Sequence, residues 1–141
     1  MKDGVVIGAL ALLLGVCVTH AQQPPPRSTS SGVFTAEQAK NGERVYQAQC
    51  ATCHGADLHS TEPEAPDLTD GAFKFGWQGK TIADRFEQIR STMPPNKSRS
   101  LDDQTYVDIV AYLLQFNGLP VGNQKLQPDI GTLGQIVIEA P

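Results

Sequence analysis

Cys50-Ala51-Thr52-Cys53-His54 places two thiols and an imidazole within a single turn of chain. That spacing suits covalent attachment of a haem. Each thiol adds to one vinyl group, and the adjacent imidazole lies beneath the iron as an axial ligand. Competing chemistries fit the same residues less well. A thioredoxin-type pair wants a preceding strand in a βαβ setting, and no such setting is signalled. A zinc site needs four ligands, and beyond these three only His59 is near in the chain, at no recognised spacing. A disulfide between Cys50 and Cys53 would close a loop too short to add much stability. The expected cofactor is therefore one covalently bound haem c and its iron, with Cys50 and Cys53 as attachment points and His54 as a metal ligand.

The second metal ligand is expected to be Met93. Apart from the initiator it is the only methionine, and it sits in Ser91-Thr92-Met93-Pro94-Pro95. Such a setting is poor for core packing and good for a stiff ligand loop. His59 is too close to His54 in the chain to reach the opposite face and is read as a solvated loop residue. A thioether opposite an imidazole favours ferrous iron and fills both axial positions, so no open site awaits a substrate. The expected activity is one-electron transfer without a catalytic residue. Two competing readings are a haem sensor or enzyme in which Met93 is displaced by a ligand, and a docking subunit of a dehydrogenase complex.

Further residues of the cofactor pocket follow from the same chemistry. An axial histidine donates its other ring N–H to a carbonyl, and Pro66 in Glu64-Ala65-Pro66-Asp67-Leu68 is a reasonable source. Trp77 can supply an indole N–H to a propionate or form a pocket wall. Glu62, Glu64, Asp67 and Asp70 are read as a solvated loop rather than acid–base pairs. Lys74, Lys80, Lys97 and Arg99 are expected near the cofactor edge, chiefly as solubilising charges.

Helices must position these groups. Thr35-Ala36-Glu37-Gln38 has the form of a capping box, which predicts a helix to about Gln49. Residues 55–80 show neither helical nor strand period and are expected as loop with at most one turn of helix. Thr81-Ile82-Ala83-Asp84 opens a short helix that stops before Pro94. Ser100-Leu101-Asp102-Asp103 opens the strongest helix, with an inward stripe at Tyr106, Ile109, Val110 and Leu113 and a stop at Asn117-Gly118. Gln135–Ile138 reads as a docked tail rather than part of a sheet. The expected class is all-α, three to five helices around one haem, with an extended C-terminal tail.

The 141 residues support one domain, and net charge −4 with no basic block argues against nucleic acid as a partner. Residues 5–18 form an apolar run too short to span a bilayer comfortably, and Ala21 ends it with the small residue that signal peptidase prefers. Residues 1–21 are thus expected to be a signal peptide, giving a periplasmic protein without stable membrane insertion. Val16 is bulky where lipoprotein processing wants a small residue, so Cys17 is read as part of the apolar run and not as a lipid anchor. Residues 22–34 are expected as a flexible Pro/Ser-rich linker, 35–117 as the haem domain and 118–141 as a tail packed on it.

With these residues in view, the chain resembles the class I mono-haem cytochromes c. The resemblance rests on Cys50–His54 early, Thr92-Met93-Pro94 late and a helix on either side, and it covers residues 35–117. It implies the cytochrome c fold, with the first and last helices crossing through Gly42 and Tyr46 opposite Tyr112. A narrower likeness is to cytochromes associated with quinoprotein dehydrogenases, which depend on pyrroloquinoline quinone (PQQ). It is carried by Ser91–Pro95, Ser100–Tyr106, Asp108–Leu113 and Asn117–Pro120. It implies a PQQ-dependent dehydrogenase as donor and a cytochrome or oxidase as acceptor. The segment Pro95-Asn96-Lys97-Ser98-Arg99-Ser100 is more basic than the Pro/Gly-rich loop of those relatives.

Overall fold

The computed structural model describes residues 27–139 and residue 141. The expected signal segment with Cys17, and residues 22–26 of the expected linker, lie outside them. No helix among the described residues is long and apolar enough to cross a membrane. The element order is β1 (Arg27–Ser28), a 3-10 turn (Thr29–Ser31), α1 (Ala36–Gln49), α2 (Ala51–His54), α3 (Asp70–Trp77), α4 (Ile82–Thr92), α5 (Asp103–Phe116), α6 (Ile130–Leu133) and β2 (Ile136–Val137). Among the described residues the architecture is thus all-α, with four longer helices, within the expected three to five, and two single turns, α2 and α6.

Two of the long helices start where local chemistry places them. Thr35 accepts from the Gln38 N–H at 3.2 Å and caps α1. At α4 the capping box closes in both directions: the Thr81 hydroxyl accepts from the Asp84 N–H at 3.2 Å, and the Asp84 carboxylate accepts from the Thr81 N–H at 2.8 Å. The start of α5 differs from the sequence expectation. Its cap is Asp102, which accepts from the Thr105 N–H at 2.9 Å and from the Thr105 hydroxyl at 2.6 Å, so Ser100 lies outside the helix.

These same bonds hold the Asp102 carboxyl below its usual range, the Thr105 hydroxyl contributing most. A lowered folded-state value means that the stabilisation is complete above the unfolded pKa of about 3.9 and is lost as pH falls through the folded value. Asp102→Ala is expected to cost about 1 kcal/mol at neutral pH. In thermal melts its deficit against wild type should hold down to about pH 5 and close under more acidic conditions.

Helix α5 forms the centre of the molecule. Residues 106–114 are all buried, a wider burial than one stripe, because α1 packs on one side and α4 on another. The crossing with α1 is close: a Cβ at Gly42 would lie 1.9 Å from the Asp108 carbonyl oxygen. Tyr46 and Tyr112 meet there with ring centroids 5.2 Å apart.

Residues 27–34 are not linker but body. Val33, Phe34 and Thr29 are buried, and β1 pairs in parallel with β2, Arg27 opposite Ile136 and Ser28 opposite Val137. The turn depends on glycines: Gly32 has φ +70°, and a Cβ on Gly122 would meet the Gly32 oxygen at 1.9 Å. The Pro/Ser composition of residues 22–34 did not signal this, because the partners are far away in sequence.

Residues 119–138 supply those partners, burying Leu119, Leu126, Leu133, Ile136 and Ile138. Ile138 exchanges 2.8 Å backbone bonds with Gly79 and Lys80, just before α4. Ile136–Val137 therefore joins a minimal two-stranded sheet, where the sequence suggested only a docked tail. Gln38 fixes the middle of this segment. It is 1% exposed, accepts from the Leu126 N–H at 2.7 Å, and donates to the Leu126 carbonyl and to Asp108, both at 3.0 Å.

The other departure is α3, in a stretch read as loop. Gly71 and Gly76 depress its helix propensity, yet Phe73 and Trp77 are both buried, with ring centroids 4.9 Å apart. Tertiary burial of that pair outweighs the weak local preference.

Candidate functional site

The end of α1 delivers the two cysteines. Cys50 closes the helix by donating its N–H to Tyr46 at 2.8 Å, and α2 then brings the His54 N–H to the Cys50 carbonyl at 3.0 Å. Gly55 ends the turn with φ +75°, and a Cβ there would lie 1.8 Å from the His59 carbonyl oxygen. The Tyr46 hydroxyl donates to the Gly55 carbonyl at 2.8 Å, tying the motif to α1. Cys50 and Cys53 are not joined to each other. Burial pushes the Cys50 thiol up to about 11, with Cys53 adding to the shift.

His54 is 8% exposed, and its Nδ1 lies 2.9 Å from the Pro66 carbonyl oxygen. With Nδ1 as the donor, Nε2 keeps a free lone pair. The loop that carries Pro66 is fastened at several points. Leu68 donates its N–H to Leu58 at 2.9 Å, Ser60 donates its N–H to Asp67 at 2.6 Å, and the Asn117 amide donates to the Leu68 carbonyl at 2.9 Å.

Met93 caps the C-terminus of α4, its N–H donating to Ile89 at 2.8 Å. Its carbonyl accepts from the Tyr106 hydroxyl at 3.0 Å. The following loop returns to α4 through a 2.9 Å bond from the Arg99 N–H to the Arg90 carbonyl. Met93 thus leaves a rigid helix end that α5 pins from behind.

Cys50, Cys53, His54, Pro66, Trp77 and Met93 all line one cavity of about 690 Å³. Apolar walls come from Leu68, Ile89, Ile109 and Leu113. His59 does not line it; that side chain is half exposed and lies 3.7 Å from the Asp70 carboxylate. Glu62, Glu64 and Asp67 stand among the lining residues but are exposed. None of Lys74, Lys80, Lys97 and Arg99 lines the cavity, and all four are exposed. The lysine or arginine that does line it is Arg85, whose place among the alternating charged and apolar residues of α4 gave no signal in the sequence.

The donor set and walls fit a flat apolar macrocycle. A thiol pair and an imidazole come from the first half of the domain and a thioether from the second, around a space whose walls are mostly apolar. Among the described residues, no group of three or more His, Cys, Asp or Glu side chains converges as a bare-ion site.

Comparison with known proteins gives concordant matches. The family described as cytochrome c oxidase, cbb3-type, subunit III matches residues 37–113. The cbb3-type cytochrome c oxidase subunit CcoP of Azospirillum brasilense is 30% identical over 88 residues, an alignment covering 59% of this chain and 30% of that protein. The chain therefore spans under a third of the length of that relative. Cytochrome c-551 of Bacillus subtilis (strain 168) is 28% identical over 103 residues, covering 73% of this chain and 83% of that one. Among solved structures, the sulfane dehydrogenase SoxCD from Paracoccus pantotrophus aligns with TM-score 0.48 and 21% identity, over 85% of this chain and 68% of that chain.

Proposed function

Because the chain belongs to the cytochrome c oxidase, cbb3-type, subunit III family of cytochrome c domains, which carry covalently bound haem c, we propose that it attaches that haem through Cys50 and Cys53, with His54 and Met93 as axial ligands. The domain is an electron-transfer domain, and its work on this reading is to relay single electrons between redox proteins. Bound haem supplies a one-electron ferric/ferrous couple whose potential is set by axial ligands, burial and hydrogen bonding.

The chain's own residues do the rest. The Pro66 carbonyl holds the Nδ1 proton of His54 and so fixes the tautomer that presents Nε2. The Tyr106 hydroxyl holds the Met93 carbonyl, which limits the freedom of the thioether. Leu68, Ile89, Ile109 and Leu113 exclude water from the cavity and lower its dielectric. With His54 and Met93 both engaged as ligands, a bound haem would keep no position open for a substrate, and the domain would act as a carrier or as the carrier subunit of an oxidoreductase.

The observation that supports this reading most strongly is the convergence of Cys50, Cys53, His54 and Met93 on a single, mostly apolar cavity. We further assign the protein to the periplasm, after removal of residues 1–21. A quinoprotein dehydrogenase as donor is supported by the resemblance at Ser91–Pro95 and Ser100–Tyr106, and a cytochrome or terminal oxidase is its acceptor. A redox titration of the matured protein tests the carrier role. The expected result is a single one-electron transition and a ferrous spectrum that carbon monoxide does not promptly change. Prompt carbon monoxide binding by the wild type would instead favour a ligand-binding haem protein.

A further inference from the structure

Among the described residues, Arg85 Nε is the buried side-chain nitrogen without a hydrogen-bond partner. Leaving such a donor unpaired is costly, and more so for a charged group. Arg85 lies on the cavity wall contributed by α4. Its guanidinium carbon sits 6.0 Å from the centroid of the Trp77 ring, and Trp77 is itself stacked on Phe73. An aromatic shelf of this kind stabilises a guanidinium and restricts its plane.

Nearby carboxylates do not satisfy it. Glu62, Glu64 and Asp67 line the same cavity, yet none forms an ion pair with Arg85; the ion pairs among the described residues are His59–Asp70, Arg90–Glu87 and Arg90–Asp103. Asp84, its chain neighbour, is committed to the Thr81 N–H. A cation with an open donor, facing a mostly apolar space and paired with none of its carboxylates, calls for an anion that arrives with whatever fills that space.

We propose that Arg85, steadied on Trp77, is the binding site for a propionate carboxylate of the haem. The proposal rests on the reading of this cavity as the haem site. A guanidinium fork matches a carboxylate with two parallel hydrogen bonds, which a lysine cannot reproduce. Arg85 is thus a positioning residue that also sets the charge state of the propionate. The cation keeps the propionate ionised through neutral pH. Because an ionised propionate stabilises ferric iron, the midpoint potential falls as pH rises through the propionate pKa, and Arg85 keeps that fall at low pH.

The test is a redox titration of the haem-loaded protein across about pH 5–9 for wild type, Arg85→Gln and Arg85→Lys. In Arg85→Gln the inflection is expected to move up by about 1–3 pH units. Arg85→Lys, which keeps the charge but not the fork, should show a smaller shift of the same sign. Arg85→Gln or Arg85→Lys curves that superimpose on wild type, with the haem spectrum intact, would overturn the proposal. If Arg85→Gln fails to accumulate, Arg85→Lys decides alone by the same criterion. Repeating the wild-type titration with and without inorganic phosphate distinguishes a solute anion: a curve that follows phosphate also overturns it. A wild type that carries no covalent haem would instead overturn the reading of the cavity, and the two failures are told apart by the absorption spectrum.

Discussion

Met93→Ala is expected to abolish the iron–thioether charge-transfer band of the oxidised protein, lower the midpoint potential and let carbon monoxide bind the ferrous form promptly. A thioether ligand favours ferrous over ferric iron, so its loss favours the ferric state. Axial ligands set the potential over about 0.8 V across haem proteins, which makes this a large electronic perturbation for one side chain. The substitution should spare the loop. Tyr106 holds the Met93 backbone carbonyl rather than the side chain, and the Met93 N–H bond to Ile89 is likewise main-chain. An unchanged oxidised spectrum and continued indifference to carbon monoxide would assign the sixth ligand elsewhere.

Gly42→Ala is expected to destabilise the fold by about 3 kcal/mol or more, at or above the upper end for overpacked sites. The added Cβ would stand 1.9 Å from the Asp108 carbonyl oxygen, 2.4 Å from its carbon and 2.9 Å from the Ile109 nitrogen. All three are backbone atoms of α5, so no side chain can swing aside and the helices themselves must part. That separation would disturb the Tyr46–Tyr112 contact and move Ile109 and Leu113, which wall the cavity. Thermal melts of the matured protein should show a fall of roughly 10 °C or more. Gly71→Ala is the matched control: a Cβ there meets nothing within 4 Å, and its melt should stay at or slightly above wild type, since alanine is the better helix former. Similar melts for the two variants would show that the close helix crossing contributes little.

The parts of this fold that the sequence made legible are those decided within a few residues. The caps at Thr35 and Thr81 are local hydrogen bonds, and they locate α1 and α4. Cys50, Cys53 and His54 share one turn, so their spacing alone brings them together. Met93 stood out because a methionine between Thr92 and two prolines is poorly placed for core packing. What stayed hidden was set by distant partners. Residues 27–34 have linker-like composition and become ordered only against Gly122 and Ile136–Val137. Helix α3 contains two glycines and owes its existence to the burial of Phe73 and Trp77. Arg85 looks like any surface charge on an amphipathic helix, and its meaning appears only when its Nε is found buried against the cavity without a partner. Asp102, rather than Ser100, caps α5: two residues only two positions apart offer comparable capping chemistry, and the Thr105 hydroxyl favours the aspartate.

The most direct measurement is the intact and peptide mass of the mature protein, produced alongside a working cytochrome-maturation system. One haem should be found covalently added, on the peptide that contains Cys50 and Cys53. A colourless protein of unmodified mass, made under conditions that mature other c-type cytochromes, would contradict the account at its root.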